Sequence, residues 1–494
     1  MTNYPEVSNE LVASSPENAI APLTLSQVIQ TSPVAFGTSG ARGLVTDLTD
    51  QVCAAYTQAF IRVIAENGPV HRIALGMDFR PSSAAMVAAC AGAAAALGVQ
   101  AEFFGVLPTP ALACFAMSQG IPAIMVTGSH IPFDRNGLKF YRPDGEISKH
   151  DEQAITACAE PLVDSAPLLL PVQSDASEHY LARYLQFYPN QPLQGKRVGI
   201  YLHSSAGRAL YPKLFRELGA EVIELEPSDH FVPIDTEAVS PEDRERGIQF
   251  ANTWQLDAVF STDGDGDRPL LADEHGHWLR GDVLCLLTAQ RLGIDALAVP
   301  VSCNSIIEKT NSFQQVVRTR IGSPYVIASF AELASQYPSV AGFEANGGFL
   351  LGSDLTRNQQ TMTALPTRDA VLPALEVLVA ARESSVSTLV ASLPQGVTLS
   401  DRLQQVDVAR CKLLLADAQK QPQQLLEQLS MTTALSRVDV TDGWRCYLAD
   451  QSVIHLRLSG NAPELRVYIE AINIDAAQSL LLQVLTNLPA ILAN

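Results

Sequence analysis

The chain has 494 residues, of which 47% are hydrophobic and 17% charged, a balance typical of packed globular proteins rather than disordered ones. This length exceeds what one hydrophobic core serves and predicts about three or four domains. The formal net charge of −19 indicates that the protein repels nucleic acid and anionic membranes, although a few local basic groups suffice to bind a small anion.

Cysteine usage and the most apolar segments indicate a cellular location. The eight cysteines are scattered and form no CxxC pair, which argues against a zinc site or disulfide framework and favours a reducing cytoplasm. The N-terminal segment lacks the basic and apolar regions of a signal peptide. The most apolar stretches, such as residues 84–99, are too short or too polar to span a bilayer. We therefore expect a soluble cytoplasmic protein.

Short apolar runs alternate with helical patterns through most of the chain, which predicts parallel sheets covered by helices. The pattern begins with the strand RIALGMD (72–78), an alanine-rich helix (83–97) and the strand AEFFGVL (101–107). The helix LACFAMSQ and the strand AIMVTGS follow. The same alternation restarts at KRVGIYLHSSAG (196–207) and again at DALAVPVSCNS (295–305).

The pattern changes at about residue 386, where a helix near 412–429 precedes two alternating strands, SVIHLRLSG and PELRVYIEA. The sequence therefore predicts an α/β protein with three similar mixed α/β domains and a smaller C-terminal α+β domain. The predicted division is an N-terminal extension (1–30), domain I (31–175), domain II (176–280), domain III (281–385) and domain IV (386–494).

Five polar, glycine-rich loops follow apolar strands, and ligands of open α/β sheets bind where strands end. The most specific loop is STDGDGDRP (261–269), whose three aspartates can turn toward one hard cation. A calcium EF-hand is the competing interpretation, because Glu274 falls at position twelve of such a loop. Position six requires glycine but is Arg268, and Pro269 follows it. The loop favours Mg²⁺, which takes few carboxylates and leaves room for phosphate oxygens.

A second loop lies within MVTGSHIPFDRNGLKFY (125–141), where Ser129 ends a buried strand. A serine hydroxyl is a poor nucleophile unless a neighbouring group activates it. His130 fits a base or a phosphate contact, and Lys139 fits a group that neutralises phosphate or moves protons. Taken alone, this stretch is equally well an ordinary turn at a strand end.

The other three loops suit anion or hydroxyl binding. FGTSGARG (36–43) offers backbone N–H groups and Arg42 to a phosphate or carboxylate. GFEANGGFLLG (342–352) offers Glu344 and Asn346 to vicinal hydroxyls, and RLSGNAPELR (457–466) forms a phosphate cradle between two arginines. Each of these loops alone also fits an ordinary turn or hairpin.

Taken in their order along the chain, the five loops resemble those of the α-D-phosphohexomutase superfamily of phosphomannomutases and phosphoglucomutases, most of all its bacterial phosphomannomutases. The resemblance covers residues 34–475 and implies four domains around a central cleft, each giving one loop. Ser129 corresponds to the phosphorylated serine of the T-A-S-H-N-P pattern, with Gly128 and Ile131 in place of alanine and asparagine.

The resemblance also assigns roles to individual residues. Its catalytic residues are Ser129, His130, Lys139 and Arg42. Its Mg²⁺ ligands are Ser129, through a phosphoryl oxygen, with Asp263, Asp265 and Asp267. Its substrate-binding residues are Arg268, Arg320, Gly322, Glu344, Asn346, Arg457, Ser459, Gly460, Asn461 and Arg466.

Three positions depart from the family pattern. Asn346 replaces the serine of G-E-x-S-G, Gly348 stands where relatives can carry a histidine, and Ala462 replaces the carboxylate of the phosphate loop. These departures bear on which sugar is bound more than on the reaction class.

The implied activity is interconversion of mannose 6-phosphate and mannose 1-phosphate through a phosphoserine and a hexose 1,6-bisphosphate, with Mg²⁺ as cofactor and the bisphosphate as activator. A phosphoglucomutase or dual-specificity enzyme, a Mg²⁺-dependent sugar phosphatase and a non-catalytic sugar-phosphate binder are the alternatives. The expected partner is a small sugar phosphate, with neither nucleic acid nor membrane, in a monomer or homodimer.

Overall fold

The structure is a computed structural model that describes residues 23–37, 40–459 and 463–493. Two residues of the first loop (38 and 39) and three of the fifth (Gly460, Asn461 and Ala462) therefore lie outside the described residues. Four sheet-containing units follow one another along the chain, each built on one main sheet. This order agrees with the predicted architecture of three α/β units and a final α+β unit.

The first unit is a seven-stranded sheet with the order β1-β2-β6-β5-β3-β4 and β7 beside β6. Alternate residues of β3 point to opposite faces: Ile73 and Leu75 join one apolar cluster and Ala74 joins another, so both faces are covered. Its elements are α1 (Leu25–Thr31), β1 (Ala35–Phe36), β2 (Ala41–Leu44), α2 (Asp50–Ala65), β3 (Arg72–Met77), α3 (Ser83–Ala96), β4 (Gln100–Val106), α4 (Thr109–Gln119), β5 (Ala123–Val126), β6 (Arg135–Arg142), β7 (Gly145–Glu146) and α5 (Lys149–Ala157).

The second unit has a four-stranded sheet of order β11-β10-β8-β9, and the third a five-stranded sheet of order β13-β12-β14-β15-β18. The second contains α6 (Asp175–Phe187), β8 (Arg197–His203), α7 (Tyr211–Glu217), β9 (Glu221–Pro227), α8 (Pro241–Trp254), β10 (Ala258–Thr262) and β11 (Pro269–Ala272). The third contains α9 (Gly281–Leu292), β12 (Ala296–Pro300), α10 (Ile306–Lys309), β13 (Gln315–Thr319), α11 (Ser323–Ala328), α12 (Phe330–Ala334), β14 (Val340–Phe343), β15 (Phe349–Leu351), β16 (Leu355–Arg357), β17 (Gln360–Met362), β18 (Leu365–Asp369), α13 (Val371–Ala380), a 3₁₀ turn (Ala381–Glu383) and α14 (Val386–Ala391).

The sheets of the first three units are mixed, so the parallel arrangement expected from the strand–helix alternation holds for only part of each sheet. In each of these units three strands run parallel, and the sheet then continues through antiparallel neighbours. The reason is loop length: residues 127–134, 263–268 and 344–348 are too few for the crossover of a dozen or more residues that a parallel connection needs. The loops predicted to bind ligand are therefore hairpin loops at the carboxyl ends of β5, β10 and β14.

The fourth unit is an antiparallel sheet of order β19-β23-β22-β21-β20 packed with helices. The single helix predicted near 412–429 is two helices, because Pro422 lacks a backbone N–H and begins a new helix instead of continuing the first. The elements are β19 (Val397–Gln404), α15 (Val408–Lys420), α16 (Pro422–Gln428), β20 (Leu435–Asp439), β21 (Trp444–Leu448), β22 (Val453–Leu458), β23 (Glu464–Ala471) and α17 (Ile474–Ala493).

The apolar cores show how the units are joined. One continuous cluster runs from the first unit through the third, from Ala74 to Val386, whereas the fourth unit has a separate cluster that includes Leu415 and Trp444. Helix α1 crosses the predicted boundary at residues 30 and 31, and its Leu25 is buried in the first unit. The residue boundaries of the four predicted domains stay predictions.

A buried ion pair fastens the fourth unit to the third. Arg445 donates from Nη2 to Glu470 Oε1 at 2.7 Å, both within the fourth sheet. The same guanidinium reaches the third unit, where it donates to the Val301 carbonyl and, at 2.9 Å, to Ser305 Oγ. The Arg445 charge is almost fully buried and these partners satisfy it, so the contact fixes how the fourth unit is placed against the third.

Helix α17 has the length and composition of a membrane-spanning helix, with 20 residues and a mean hydropathy of 1.4. This result departs from the expectation that every apolar stretch is too short or too polar for a bilayer. Its Val484 and Leu488 are buried in the core of the fourth unit, but only 17% of its apolar window is buried, so packing in this core accounts for part of its apolar character.

Candidate active site

Ser129 lies at the tip of the β5–β6 hairpin, fully buried, with its hydroxyl directed at the aspartate loop of the second unit. Its Oγ donates to Asp263 Oδ2 at 2.5 Å. The backbone has a φ of 52°, a conformation that is strained for serine, and the Thr127 hydroxyl holds it by accepting the Ser129 N–H at 2.8 Å. Strain retained at this position is characteristic of functional loops.

The buried ion pair of Asp78 and Arg80 supports the loop that carries Ser129. Arg80, which follows β3, donates to the carbonyls of Ser129, Pro132 and Arg135 at 2.9, 2.7 and 2.8 Å. Its Nε donates to Asp78 Oδ2 at 3.2 Å, and the same carboxylate oxygen accepts the Thr127 hydroxyl at 2.8 Å. The guanidinium lies so close to residue 128 that a Cβ there would be 2.4 Å from Arg80 Cζ, so only glycine fits.

The three aspartates of the second loop converge with Lys139, which reaches them from β6. Lys139 Nζ donates to Asp265 Oδ2 and to Asp267 Oδ2, each at 2.6 Å. Asp263, Asp265 and Asp267 are fully buried, and a ligand atom from each lies within 4.8 Å of the others. The prediction that these aspartates form one cluster is confirmed.

The aspartate cluster fits a divalent cation. Asp265 Oδ1 and Asp267 Oδ1 are buried oxygens that accept no hydrogen bond within the described part of the chain. An unsatisfied buried carboxylate oxygen is costly, and hard oxygen donors are the ligands that Mg²⁺ prefers. The residues present therefore suit Mg²⁺, as the resemblance implies.

The pKa values of the three aspartates diverge. Burial, followed by the charges of the other two, raises the pKa of Asp263 well above its usual range. Burial also acts on Asp265, but Lys139 outweighs it and lowers the pKa of that carboxyl. For Asp267 the effect of burial is outweighed chiefly by Arg368, and its pKa is likewise lowered.

His130 is a neutral acceptor rather than a cation. Its Nδ1 accepts from Arg268 Nη1 at 3.0 Å and lies 3.2 Å from Ser129 Oγ. Burial, followed by the charge of Arg268, lowers the pKa of His130 to about 3. Arg42, on β2 beside the strand of Lys139, keeps its charge at neutral pH, although burial lowers its pKa to about 10.

The loop predicted to bind the sugar is the β14–β15 hairpin, and it is buried. Glu344 Oε2 accepts from Arg368 Nη1 at 3.0 Å. Asn346 uses its Oδ1 to accept the Gly348 N–H at 3.0 Å, and its backbone carbonyl accepts the Thr236 hydroxyl at 2.8 Å. The Asn346 side chain therefore shapes the loop through its carbonyl, which leaves its amide N–H groups as the donors that a sugar hydroxyl could use.

A second group of basic residues lines a cavity of about 300 Å³ between the third and fourth units. Arg320 of the third unit and Asp442 and Arg457 of the fourth unit are among its lining residues. Asp442 Oδ2 accepts from Arg457 Nε at 2.9 Å and from the Ile321 N–H at 3.0 Å. This carboxylate both orients Arg457 and links the two units. Gly322, at the start of α11, has a φ of 129° that only glycine adopts readily.

Of the remaining predicted residues of the fifth loop, the structure describes Ser459 and Arg466. The Ser459 N–H donates to the Glu464 carbonyl at 2.9 Å, which closes the β22–β23 hairpin. Arg466, on β23, acts electrostatically on the half-buried Glu237 of the second unit. Burial raises the pKa of Glu237, and Arg280 is the strongest of the arginines that oppose this shift.

The structure brings Ser129, His130, Lys139 and the three aspartates together through direct contacts, and Arg42 interacts electrostatically with this cluster. Glu344 is joined to the cluster through Arg368. The structure places Arg320 and Arg457 together at a separate cavity. Sequence analysis missed four participants: Arg80, Arg368, Asp442 and Glu237. Two of them carried a usable signal, because Arg80 lies three residues after β3 (in GMDFR) and Arg368 is the penultimate residue of β18 (in LPTRD), both near the carboxyl ends of strands, where ligands bind.

Comparison with known families gives a consistent result. Three family models match, described as phosphoglucomutase/phosphomannomutase alpha/beta/alpha domains I, II and III, over residues 33–162, 178–276 and 280–397. A phosphomannomutase of Salmonella muenchen is 52% identical over 93% of this chain and 97% of its own length. One from Sinorhizobium fredii is 42% identical over 91% and 97%.

Solved structures share the fold. A phosphoglucomutase/phosphomannomutase family protein from Burkholderia thailandensis superposes with a TM-score of 0.72 and 22% identity, over 92% of this chain and 97% of its own. An N-acetylphosphoglucosamine mutase from Aspergillus fumigatus, in complex with GlcNAc-6P and magnesium, superposes with a TM-score of 0.52 and 15% identity, over 94% and 98%.

Proposed function

We propose, from the premise that the chain belongs to the phosphoglucomutase/phosphomannomutase family, that it interconverts mannose 6-phosphate and mannose 1-phosphate. The observation that carries the proposal is the contact of Ser129 Oγ with Asp263, which joins a serine at a strained hairpin tip to a cation-binding cluster. The two phosphomannomutase relatives support mannose as the sugar.

In the proposed reaction Ser129 carries a phosphoryl group and transfers it to the free hydroxyl of a hexose monophosphate, giving a hexose 1,6-bisphosphate. The P–O bond to Ser129 breaks as the bond to the sugar oxygen forms. The bisphosphate then reorients and returns its other phosphoryl group to Ser129, so that one isomer replaces the other. Such transfer is achieved mainly by positioning and charge stabilisation.

The chain's own residues supply this positioning. Arg268 and Arg42 place positive charge beside Ser129, and neutral His130 accepts from Arg268 at Nδ1, which lies 3.2 Å from the serine oxygen and so orients the arginine toward it. Asp263, Asp265 and Asp267 would hold Mg²⁺, which when bound neutralises charge on the transferred phosphoryl group. Lys139 keeps two of these carboxylates paired.

Substrate recognition is proposed to be divided between two places. Glu344 and Asn346 would accept and donate hydrogen bonds to the sugar hydroxyls. Arg457, Arg320 and Arg466, with Ser459, Gly460 and Asn461, would hold the phosphate that does not react. A hexose 1,6-bisphosphate would act as activator by phosphorylating Ser129. The cytoplasmic location, the monomeric or homodimeric state and the absence of nucleic-acid or membrane partners stay predictions.

The test is a ³¹P NMR time course with Mg²⁺, a trace of glucose 1,6-bisphosphate, and mannose 1-phosphate and glucose 1-phosphate in competition. We expect mannose 6-phosphate to accumulate first; faster loss of glucose 1-phosphate would assign phosphoglucomutase specificity instead. Growth of inorganic phosphate would indicate a phosphatase, and an unchanged spectrum would indicate a binding protein.

The matched variants are Ser129→Ala and Ser118→Ala, the latter at an exposed position on α4. Ser129→Ala should lower turnover by orders of magnitude with an unchanged circular dichroism spectrum, because no oxygen remains to carry the phosphoryl group. Ser118→Ala should match the wild type. Turnover by Ser129→Ala close to that of the wild type would end the phosphoserine mechanism.

A further inference from the structure

Arg368 joins the metal-binding loop to the sugar loop. It is the fourth residue of β18, and its side chain is 1% exposed. It donates to Asp267 Oδ2 from Nε at 3.0 Å and from Nη2 at 2.9 Å, and to Glu344 Oε2 from Nη1 at 3.0 Å. One rigid guanidinium therefore fixes a carboxylate of the second unit relative to a carboxylate of the third.

The space for this arginine is created by Gly348, the position at which relatives can carry a histidine. A Cβ on residue 348 would lie 2.5 Å from both Cγ and Cδ of Arg368 and 2.8 Å from its Cβ. These distances are far below van der Waals contact, so a side chain at 348 and Arg368 in its present position exclude each other. The departure from the family pattern at 348 is thus coupled to the presence of Arg368.

The planar geometry of arginine matters here. A guanidinium offers donors in a fixed fork, which lets one side chain contact two carboxylates with defined angles, whereas a lysine ammonium is a single point charge. Ser323 Oγ, at 3.4 Å from Nη1, and Glu146, which accepts the Ser323 hydroxyl at 2.7 Å, extend the contacts to the first unit. Arg368 therefore lies where the first three units meet.

We propose that Arg368 is a positioning residue that couples cation binding at Asp267 to sugar binding at Glu344. This inference rests on the proposed function, because it presumes that Glu344 contacts the sugar. Binding at either loop fixes the guanidinium, and through it the carboxylate of the other loop, so each ligand should strengthen the binding of the other.

The experiment measures binding as well as turnover, with Arg368→Met and Arg368→Lys. Isothermal titration calorimetry of the full-length protein would give the Kd of Mg²⁺ with and without mannose 1-phosphate, and the Kd of mannose 1-phosphate with and without Mg²⁺. Kinetics would give KM and kcat separately. Arg142→Met, which removes a half-buried arginine that pairs with Asp144 and Asp151, is the control.

In the wild type and the control we expect each ligand to tighten the other. In Arg368→Met both Kd values should rise about tenfold or more, since two charge-assisted contacts are lost. In Arg368→Lys the charge remains, but the coupling ratio, which is the factor by which one ligand lowers the Kd of the other, should fall to about one. A merely structural role would not produce this result. Arg368→Lys with wild-type coupling, or Arg368→Met with wild-type affinities, would overturn the proposal.

A second pair of variants distinguishes a loss of coupling from a loss of folding. Gly348→Ala should displace Arg368 and reproduce the loss of coupling, and in an Arg368→Ala background the same change should have no further effect. A full effect of Gly348→Ala without Arg368 would contradict the proposal. If the wild type failed to isomerise mannose 1-phosphate, the proposed function would fall, whereas the calorimetric comparison would still decide the role of Arg368.

Discussion

Replacing Gly128 by alanine should damage this protein, although alanine is the usual residue of the family pattern at that position. Gly128 has an ordinary negative φ, so the backbone accepts alanine, and the loss of unfolded-state entropy alone would stabilise the fold by about 0.4–1 kcal/mol. The new Cβ, however, would lie 2.4 Å from Arg80 Cζ and 2.6 Å from its Nε. The result depends on whether Arg80 can move.

Arg80 is poorly able to move, because its guanidinium is buried and donates to four loop carbonyls and to Asp78. Overpacking of this kind costs about 1–3 kcal/mol, so that after the entropic gain is subtracted the net loss of stability is up to about 2.6 kcal/mol. A displaced Arg80 would also shift the Ser129 carbonyl, and a shift of about 1 Å at a reacting group can lower turnover about a hundredfold.

The assay combines thermal unfolding with mutase kinetics for Gly128→Ala, Arg80→Ala and the double variant. Gly128→Ala should lower the melting temperature and kcat, and its effect should largely disappear in the Arg80→Ala background, where the clash is absent. Wild-type stability and kcat for Gly128→Ala would refute the argument that Arg80 dictates glycine at this position.

Three further outcomes are expected. Asp265→Asn should raise the Mg²⁺ concentration needed for half-maximal activity and lower that activity, and an unchanged Mg²⁺ titration would remove the metal assignment. Asp442→Asn should raise KM for mannose 1-phosphate about tenfold with a smaller effect on kcat, because Arg457 loses its charged partner; an unchanged KM would contradict this. Burial lowers the pKa of His203 from 6.5 to about 4, so the unfolded chain binds one more proton between these pH values and stability falls as the pH drops, by about 1.4 kcal/mol per pH unit. His203→Gln should therefore show a smaller loss of melting temperature between pH 7 and pH 5 than the wild type, and an equal loss would refute the assignment.

The sequence was informative wherever a polar loop interrupts an apolar strand. Ser129 and the three aspartates were found in this way, since hydrophobic burial before them and glycine around them are both visible in one segment. Three sheet-building units and a different fourth unit were also predictable, because repeated alternation of strand and helix patterns is a local signal.

The features that could not be predicted from the sequence depend on contacts between residues far apart in the chain. Lys139 and Asp265 are 126 positions apart, and Arg368 and Asp267 are 101 apart, so nothing local indicates which charge meets which. Periodicity likewise does not show whether the strand after a short loop runs parallel or antiparallel, which is why the hairpins were missed. Asp442 gave no signal because its role arises only where two units meet.

The separate core of the fourth unit has a consequence for protein engineering. Among the residues that the structure describes, the unit's apolar cluster is separate from the cluster of the first three units, and the unit is fastened partly through Arg445 and its contacts with a backbone carbonyl and one hydroxyl. The contact with Val301 uses its main-chain carbonyl, which any residue offers. On the third unit, Ser305 is therefore the side chain that the contact with Arg445 requires. A chimaera that keeps residues 1–396 of this chain and takes the last unit from a relative should dock without redesign of the acceptor if Thr398, Asp442, Arg445 and Glu470 are retained. The part of the proposed phosphate site that the fourth unit supplies could then be exchanged while Arg320, the proposed sugar-binding residues and the phosphoryl-transfer residues stay untouched.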